Sequence, residues 1–186
     1  MKTIELKPHL QLDMALGQAL QKRRSNRDCQ TEQLNEEALS TLLCACAGIT
    51  DEDGRRTVPS TLDLRAVTPY VLRADGAWRY DAAKNCLEQT TDKDVREVST
   101  AYQFDYVKTA PVTIVFVADK ERSKTARPTG VYVDAGTMGQ SCYLAAAAMG
   151  LAGCIRASFD HEELRKAMNL AEHLEPIVLF TVGYPK

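Results

Sequence analysis

Few features of this chain indicate a function directly. Its 186 residues include three histidines and one tryptophan, and the net charge of −2 lacks the basic excess typical of general nucleic-acid binders. No GxGxxG follows a predicted strand and no GxxxxGK[ST] occurs, which excludes a dinucleotide-type Rossmann turn and a P-loop. The opening MKTIELKPHLQLDMAL has no apolar core or cleavage pattern of a secretory signal. We therefore expect a cytoplasmic protein of one domain, residues 1–186.

The cysteines and histidines do not form a recognisable metal or nucleophile motif. None of the six cysteines belongs to a CxxC pair, and Cys44 and Cys46 lie two apart on a predicted helix, where their side chains diverge. The three histidines, His9, His161 and His173, occur in polar segments without a partner cysteine or serine. We expect buried free thiols, no metal site and no catalytic triad.

The most distinctive segment is an uncharged run between Asp134 and Arg156, which contains 21 residues rich in alanine and glycine. A helix that is apolar on every side is buried in lipid, in a core or at a subunit interface. Lipid is the least favoured, because Gly150 is predicted to end the helix about 16 residues after Asp134, short of the roughly 20 that span a bilayer. A core helix and a helix at a dimer interface both remain open.

The rest of the pattern predicts two hydrophobic strands, one hairpin and about five helices in an α+β arrangement, without strict βαβ alternation. Two helices are expected first, one with Leu12, Leu16, Ala19 and Leu20 on one face and one capped by Asn35 and ended by Gly48. The Asp75-Gly76 pair predicts a hairpin between strands 69–73 and 77–81. We further predict a charged helix within 91–104, central strands at 111–118 and 176–183, and a helix 161–168 capped by Asp160.

Four blocks of sequence resemble the nitroreductase family of FMN-dependent oxidoreductases. They occur in the family's order along almost the whole chain: RRSNR at 23–27, RTVPST at 56–61 with the strand and aromatics that follow, DAGTMGQSCYLAAAAMGLAGC at 134–154, and SFD at 158–160 with the closing PIVLFTVGYP. The resemblance implies an α+β fold whose mixed, mainly antiparallel central sheet is flanked by helices. It also implies an intertwined homodimer with two FMN molecules at the interface.

The resemblance assigns two groups of candidate flavin contacts. Arg23, Arg24, Ser25 and Arg27 match the block that binds the phosphate and ribityl chain, and guanidinium groups suit phosphate oxygens well. A solvated basic helix end is the alternative interpretation. Residues 59–61, that is Pro59, Ser60 and Thr61, match the loop that meets FMN from the second subunit.

Several positions depart from the family pattern. Asp63 stands where the family usually has Asn and Arg65 where it often has Gln, and an Asp63–Arg65 pair would partly offset the change. Ala157 and Ser158 replace a frequent Glu-Gly, so that any contact with the flavin ring is through backbone N–H groups. Arg156 is a candidate contact to FMN or substrate, or an exposed charge.

A further departure from the family pattern concerns the basic phosphate ligand that many members carry in a C-terminal tail. Either Lys186 replaces it or the N-terminal arginines act alone, and FMN affinity would then be weaker than the family norm.

The function implied by the resemblance is transfer of electrons from NAD(P)H to a nitroaromatic, quinone or similar acceptor by a ping-pong mechanism. The flavin performs the redox step, so no side chain is expected to act as catalytic acid or base. Two alternatives stay open: a related flavoenzyme with a dedicated substrate, of the peptide-modifying or deiodinating kind, and a flavin-binding or structural dimer with little turnover. The sequence does not indicate the acceptor or the choice between NADH and NADPH.

Overall fold

The computed structural model describes residues 2–7, 10–102 and 104–186, so the expectation for His9 lies outside the described residues. Within these ranges the chain forms one sheet of seven strands and five α-helices. The strands are β1 Thr3–Glu5, β2 Val67–Arg73, β3 Gly76–Asp81, β4 Cys86–Thr91, β5 Val112–Asp119, β6 Ala152–Arg156 and β7 Leu174–Gly183. The helices are α1 Leu16–Lys22, α2 Glu36–Ala47, α3 Asp105–Thr109, α4 Thr129–Ala148 and α5 His161–Ala167, with 3₁₀ turns at Thr61–Asp63 and Arg96–Ser99.

The sheet runs in the order β1-β4-β3-β2-β5-β7-β6, and all six pairings are antiparallel. This confirms the predicted α+β class with an antiparallel central sheet. The predicted hairpin between β2 and β3 is present, but its turn lies one residue earlier, at Ala74 and Asp75. Gly76 is the first residue of β3, opposite Arg73, and has a positive φ of 131°.

The central strand β5 is buried on both faces, which explains its unbroken apolar sequence. Ile114 and Phe116 pack into the larger core with α2 and α4, whereas Val115 and Val117 pack into a second core with Leu164 of α5. Successive side chains of a strand point to opposite faces, so a strand covered by helices on both sides needs apolar residues at every position.

The predicted boundaries of α2 and α5 are confirmed, whereas α1 begins only at Leu16, so that Leu12 lies before it. The Asn35 side chain accepts a 2.8 Å hydrogen bond from the Ala38 N–H at the start of α2, and Asp160 accepts one of 2.8 Å from the Glu163 N–H at the start of α5. Gly150 follows the end of α4 with φ of 71°. All six cysteines are buried free thiols, as expected. In the part of the chain that the structure describes, no helix combines the length and hydropathy needed to cross a membrane.

The helix predicted within 91–104 is wrong. The chain leaves β4 at Thr91, and the described residues 92–102 form a short 3₁₀ turn at Arg96–Ser99 and no α-helix. Asp94 accepts hydrogen bonds from both the backbone and the side chain of Arg96, and the Ser99 hydroxyl donates to the Arg96 carbonyl. Such local bonds offer the backbone an alternative to a helix. The short strands β1, β4 and β6 were not predicted.

Helix α4 begins at Thr129 rather than at Asp134, and only one side of the helix is buried. Ala135 and Cys142 are fully buried in the larger core, whereas Tyr132 and Val133 are 48% and 62% exposed. A Cβ added at Gly136 would meet no atom within 4 Å. The outward side of α4 therefore carries no charged residue, and nothing in the described chain covers it.

Candidate functional site

The N-terminal basic segment is positioned by Tyr143 of α4. The Arg23 guanidinium lies 5.0 Å from the centre of the Tyr143 ring, a cation–π distance. The Tyr143 hydroxyl shares a 2.7 Å hydrogen bond with Ser25 Oγ and accepts a 2.9 Å bond from the Ile155 N–H of β6. One buried tyrosine thus fixes both an arginine and a serine of this segment against α4 and β6.

Two further basic residues of the predicted set are Arg27, at the end of this segment, and Lys186, which lies beside it. Arg27 is exposed, and its pKa is raised by the neighbouring Cys154 sulfur and by a hydrogen bond with Tyr106. Lys186 pairs with Asp28 across 3.4 Å, and its N–H donates to the Asp28 carbonyl at 3.1 Å. The C-terminus therefore lies directly beside the 23–28 segment.

Arg24 has a different environment from Arg23. Its Nη1 donates 2.7 Å hydrogen bonds to the carbonyls of Gln21 and Arg23, so the side chain folds back over the end of α1. The arrangement is the capping of a helix C-terminus by a cation.

Arg156 is committed to contacts within the chain. Its Nε donates to Thr181 Oγ1 at 2.8 Å, its Nη2 donates to Ser99 Oγ at 2.8 Å, and its Nη1 donates to the Ser99 carbonyl. Burial lowers the pKa of Arg156 to about 10. The side chain ties β6 to β7 and to the 96–99 turn.

The residues after Arg156, Ala157 and Ser158, are both exposed. The Ser158 carbonyl accepts a 3.1 Å hydrogen bond from the Ala101 N–H.

The second predicted group, the 59–65 loop, is anchored to α4 by the buried carboxylate of Asp134. Asp134 accepts hydrogen bonds from the Thr61 N–H at 2.9 Å, from Thr61 Oγ1 at 2.7 Å and from Ser60 Oγ at 3.3 Å. Ser60 Oγ in turn accepts from the Arg65 N–H at 2.7 Å. The sequence pattern gave Asp134 no role beyond the start of the uncharged run, although it is the one charged residue of α4 and this is a signal that the sequence carries.

The same loop carries an unusual backbone. Leu62, Asp63 and Arg65 take φ values of 51°, 54° and 49°, in the left-handed region that non-glycine residues rarely occupy. Leu62 is also 71% exposed. Such strain persists where surrounding contacts impose it, and it is frequent at ligand-binding loops.

The Asp63–Arg65 pair considered from the sequence is present. Arg65 Nε and Nη2 donate to the two carboxylate oxygens of Asp63 at 3.0 and 3.3 Å. These bonds lower the pKa of Asp63 and raise that of Arg65. The pair occupies the exposed rim of the loop.

An open polar groove of about 700 Å³ lies along this loop. It is lined by Asp53, Arg55, Arg56, Thr57, Val58, Pro59, Ser60, Asp63 and Arg65. Arg56 is half-buried, and its buried Nε has no hydrogen-bond partner among the described atoms. Arg56 belongs to the RTVPST block of the sequence, where the resemblance assigned it no role.

The two groups of predicted residues lie at separate places on the chain. Tyr143, which holds the 23–27 segment, and Asp134, which holds the 59–65 loop, are nine positions apart on α4. At 1.5 Å per residue this spacing is about 13 Å along the helix. No residue of the 23–27 segment lines the groove. Each chain thus presents two separated halves of the predicted site.

Comparison with known proteins places these features in one family. The family model described as nitroreductase matches residues 20–184. A crystal structure from Ralstonia eutropha JMP134, provisionally named a nitroreductase, is 32% identical with a TM-score of 0.93 and covers 100% of this chain and 90% of that one. A Methanocaldococcus jannaschii protein, MJ1384, also provisionally named a nitroreductase, is 29% identical over 185 residues, covering 92% of this chain and 91% of its own.

A more distant structure shares the fold alone. The Escherichia coli microcin synthetase McbBCD complex with truncated pro-MccB17 matches with a TM-score of 0.78 at 18% identity, covering 88% of this chain and 70% of that chain.

The sequence blocks, the seven-stranded sheet and the match over residues 20–184 agree. The chain belongs to the nitroreductase family.

Proposed function

We propose that the protein is an FMN-dependent oxidoreductase that passes electrons from NAD(P)H to a small acceptor such as a nitroaromatic or a quinone. Membership of the nitroreductase family supports an oxidoreductase. The observation that carries the flavin assignment is the basic group around Tyr143, where Arg23 and Ser25 are held in place and Arg27 and Lys186 lie close by.

The chemistry of this group suits a phosphate dianion. Among the described residues, neither Arg23 nor Arg27 has a carboxylate within ion-pair distance, so both cations are available to a ligand. A serine hydroxyl fixed by Tyr143 adds a neutral donor. Forked guanidinium donors and a hydroxyl together match the several acceptor oxygens of a phosphate.

When bound, FMN supplies the hydride and electron chemistry, and the protein supplies binding and orientation. In this proposal Arg23, Ser25 and Arg27 hold the phosphate. The exposed Ala157 and Ser158 offer backbone N–H groups to the ring edge. No side chain of the chain acts as a general acid or base, and donor and acceptor use the same cleft in turn.

We further propose that two copies of the chain form each site. The 59–65 loop is about 13 Å along α4 from the Tyr143 end, so in this arrangement it approaches the flavin held by the other copy. The uncovered face of α4, with Val133 exposed and Gly136 open, provides a surface for close contact between the copies.

The proposal is tested by adding FMN to the apoprotein and then mixing the complex anaerobically with NADH or NADPH. We expect saturable fluorescence quenching on FMN addition and bleaching of the flavin's visible band by at least one nicotinamide. Absence of saturable binding would contradict the cofactor assignment. A bound flavin that neither nicotinamide bleaches would contradict the proposed activity and favour the low-turnover alternative.

The phosphate assignment is tested by comparing FMN with riboflavin, which lacks the phosphate. Hydrogen bonds to charged groups are worth about 1.5–3 kcal/mol, so Arg23→Ala is expected to weaken FMN binding roughly tenfold or more. Riboflavin affinity should be nearly unchanged. Arg24→Ala should have a smaller effect on FMN, because the Arg24 side chain is folded back on α1. An equal loss for FMN and riboflavin in Arg23→Ala would remove Arg23 from the phosphate site.

A further inference from the structure

Arg56 differs from the other arginines of the groove in having no counterion. Arg55 pairs with Asp51 and Asp53 at 3.7 and 3.6 Å, and Arg65 pairs with Asp63 at 3.0 Å. In the described part of the chain, no ion pair or side-chain hydrogen bond is formed by Arg56.

The surroundings of Arg56 favour an incoming anion. Burial lowers the pKa of Arg56, and the positive charges of Arg65 and Arg122 lower it further. The carboxylates nearest in the groove are already held by other arginines. A half-buried cation without a counterion is costly, and an anion that enters the groove would relieve that cost.

An internal water molecule does not account for the whole side chain. Arg56 also lines a cavity of about 10 Å³ shared with Asp134, which has room for about one water molecule. Such a water could satisfy the buried Nε. Nε is the one guanidinium nitrogen of Arg56 that is buried without a partner among the described atoms, and the side chain also lines the 700 Å³ groove, where a ligand can reach it.

We propose that Arg56 binds an anionic oxygen group, a carboxylate or a phosphate, carried by the small molecule that exchanges electrons at this site. The inference rests on the proposed function, because the groove is also lined by Pro59 and Ser60 of the loop proposed to meet the flavin. A guanidinium group presents paired donors that match the two oxygens of a carboxylate or phosphate. Acceptors or donors with such a group are bound better than neutral analogues of the same shape.

A binding experiment tests the site without turnover. Thermal unfolding of the full-length protein is measured with and without FMN, in the presence of benzoate, of neutral methyl benzoate or of inorganic phosphate. A ligand that binds only the folded state raises the Tm. We expect benzoate or phosphate, but not methyl benzoate, to raise the Tm of the unmodified protein. Arg56→Gln should weaken this binding roughly tenfold or more, because a charged hydrogen-bond partner is lost.

Matched variants separate a binding role from a structural one. Arg55→Gln removes a neighbouring arginine that lines the same groove but is already paired, and it should keep the anion response. Arg56→Lys keeps the charge and should keep part of the response. If Arg56→Gln lowers the Tm without ligand and leaves the anion response unchanged, Arg56 is structural and the proposal is overturned.

Kinetic measurements identify the source of the anion. KM is measured for Arg56→Gln with 4-nitrobenzoate and with methyl 4-nitrobenzoate. A rise of about tenfold for the first substrate and none for the second assigns the site to an acceptor carboxylate. A rise for NADPH but not NADH assigns it to the donor's extra phosphate. If every KM and the benzoate response are unchanged, the proposal fails while the proposed function stands. If nicotinamides do not reduce the flavin but Arg56→Gln still loses benzoate binding, the activity fails and the anion site stands.

Discussion

At the scale of single residues, Asp134 anchors the 59–65 loop of the candidate site. It is 6% exposed, and its carboxylate accepts hydrogen bonds from both the backbone and the hydroxyl of Thr61 and from the hydroxyl of Ser60. A loop with three left-handed non-glycine residues lies directly after these contacts. Asp134 therefore supplies part of the free energy that holds a strained loop in place.

We predict that Asp134→Ala lowers the free energy of unfolding by about 1–3 kcal/mol, because buried donors lose a charged acceptor. FMN affinity should fall in the same variant, since the 59–61 loop loses its anchor. The measurements are urea unfolding of the apoprotein and FMN titration.

Asp160→Ala is the matched control for this prediction. Asp160 also accepts a backbone hydrogen bond, but at the start of α5, so its loss should cost about 1 kcal/mol and leave FMN affinity unchanged. If Asp134→Ala binds FMN as tightly as the unmodified protein does, the loop does not contact the flavin.

The sequence predicted Ser60 and Thr61 as site residues but not the residue that holds them. Their block has a local pattern, whereas the contact with Asp134 joins positions 73 and 74 residues apart. Arg56 was overlooked for a related reason. Arg56 lacks a counterion because the nearby carboxylates pair with Arg55 and Arg65, and this pairing is set by the folded loop.

At the scale of elements, strong local signals were predicted well and weak ones were not. Asn35 and Asp160 were identified as caps, and Asp75-Gly76 as a turn, because each depends on neighbouring residues alone. The strand β4, with the sequence CLEQTT, has no clear apolar period and is formed by pairing with β3 and β1. Whether such a segment forms a strand depends on the strands that it pairs with, and a local sequence pattern does not show those strands.

Helix α5 gives a pH prediction. Glu162 accepts hydrogen bonds from Arg165 and pairs with Lys166, and these contacts lower its pKa to about 2. A carboxylate whose pKa is lower in the folded state stabilises that state above its unfolded pKa of about 4.3, and this contribution is lost as the pH falls toward 2. We predict that Glu162→Gln lowers the Tm slightly at pH 7 and much less at pH 2.

The control for the pH prediction is Glu121→Gln. The structure gives Glu121 no ion pair among the described residues, so its replacement should not change the Tm at either pH. Circular dichroism melts at pH 7, 4 and 2 measure the difference. A Tm decrease in Glu162→Gln that is the same at all three pH values would show that the effect is not electrostatic.

At the scale of the whole molecule, the chain carries two separated groups of candidate site residues and a helix face, on α4, that nothing in the described part of the chain covers. Val133 and Tyr132 of α4 are 62% and 48% exposed, and Leu16 and Leu20 of the adjacent α1 are 66% and 51% exposed. Exposed apolar side chains on two helices that pack together are typical of an interaction surface. The charge-free run in the sequence is explained if one side of α4 faces the core and the other faces a second copy.

We predict that Val133→Glu shifts the protein from dimer to monomer and weakens FMN binding in parallel. A glutamate buried at a helix interface without a partner is strongly disfavoured, whereas in the isolated chain position 133 is exposed. Gly136→Leu should act in the same way. Its Cβ would meet nothing within 4 Å in one chain, but a side chain there would hold a second helix away. Light scattering at several concentrations and FMN titration measure the two effects.

The link between assembly and flavin binding is the decisive part of this prediction. Lys166→Glu places the same new side chain on the exposed face of α5 and should change neither property. If Val133→Glu is monomeric yet binds FMN as tightly as the unmodified protein, one chain holds the flavin alone and the 59–65 loop acts within its own subunit. If both properties fall together while the monomer stays folded, flavin binding needs the assembled pair, and the 59–65 loop of one copy completes the site of the other.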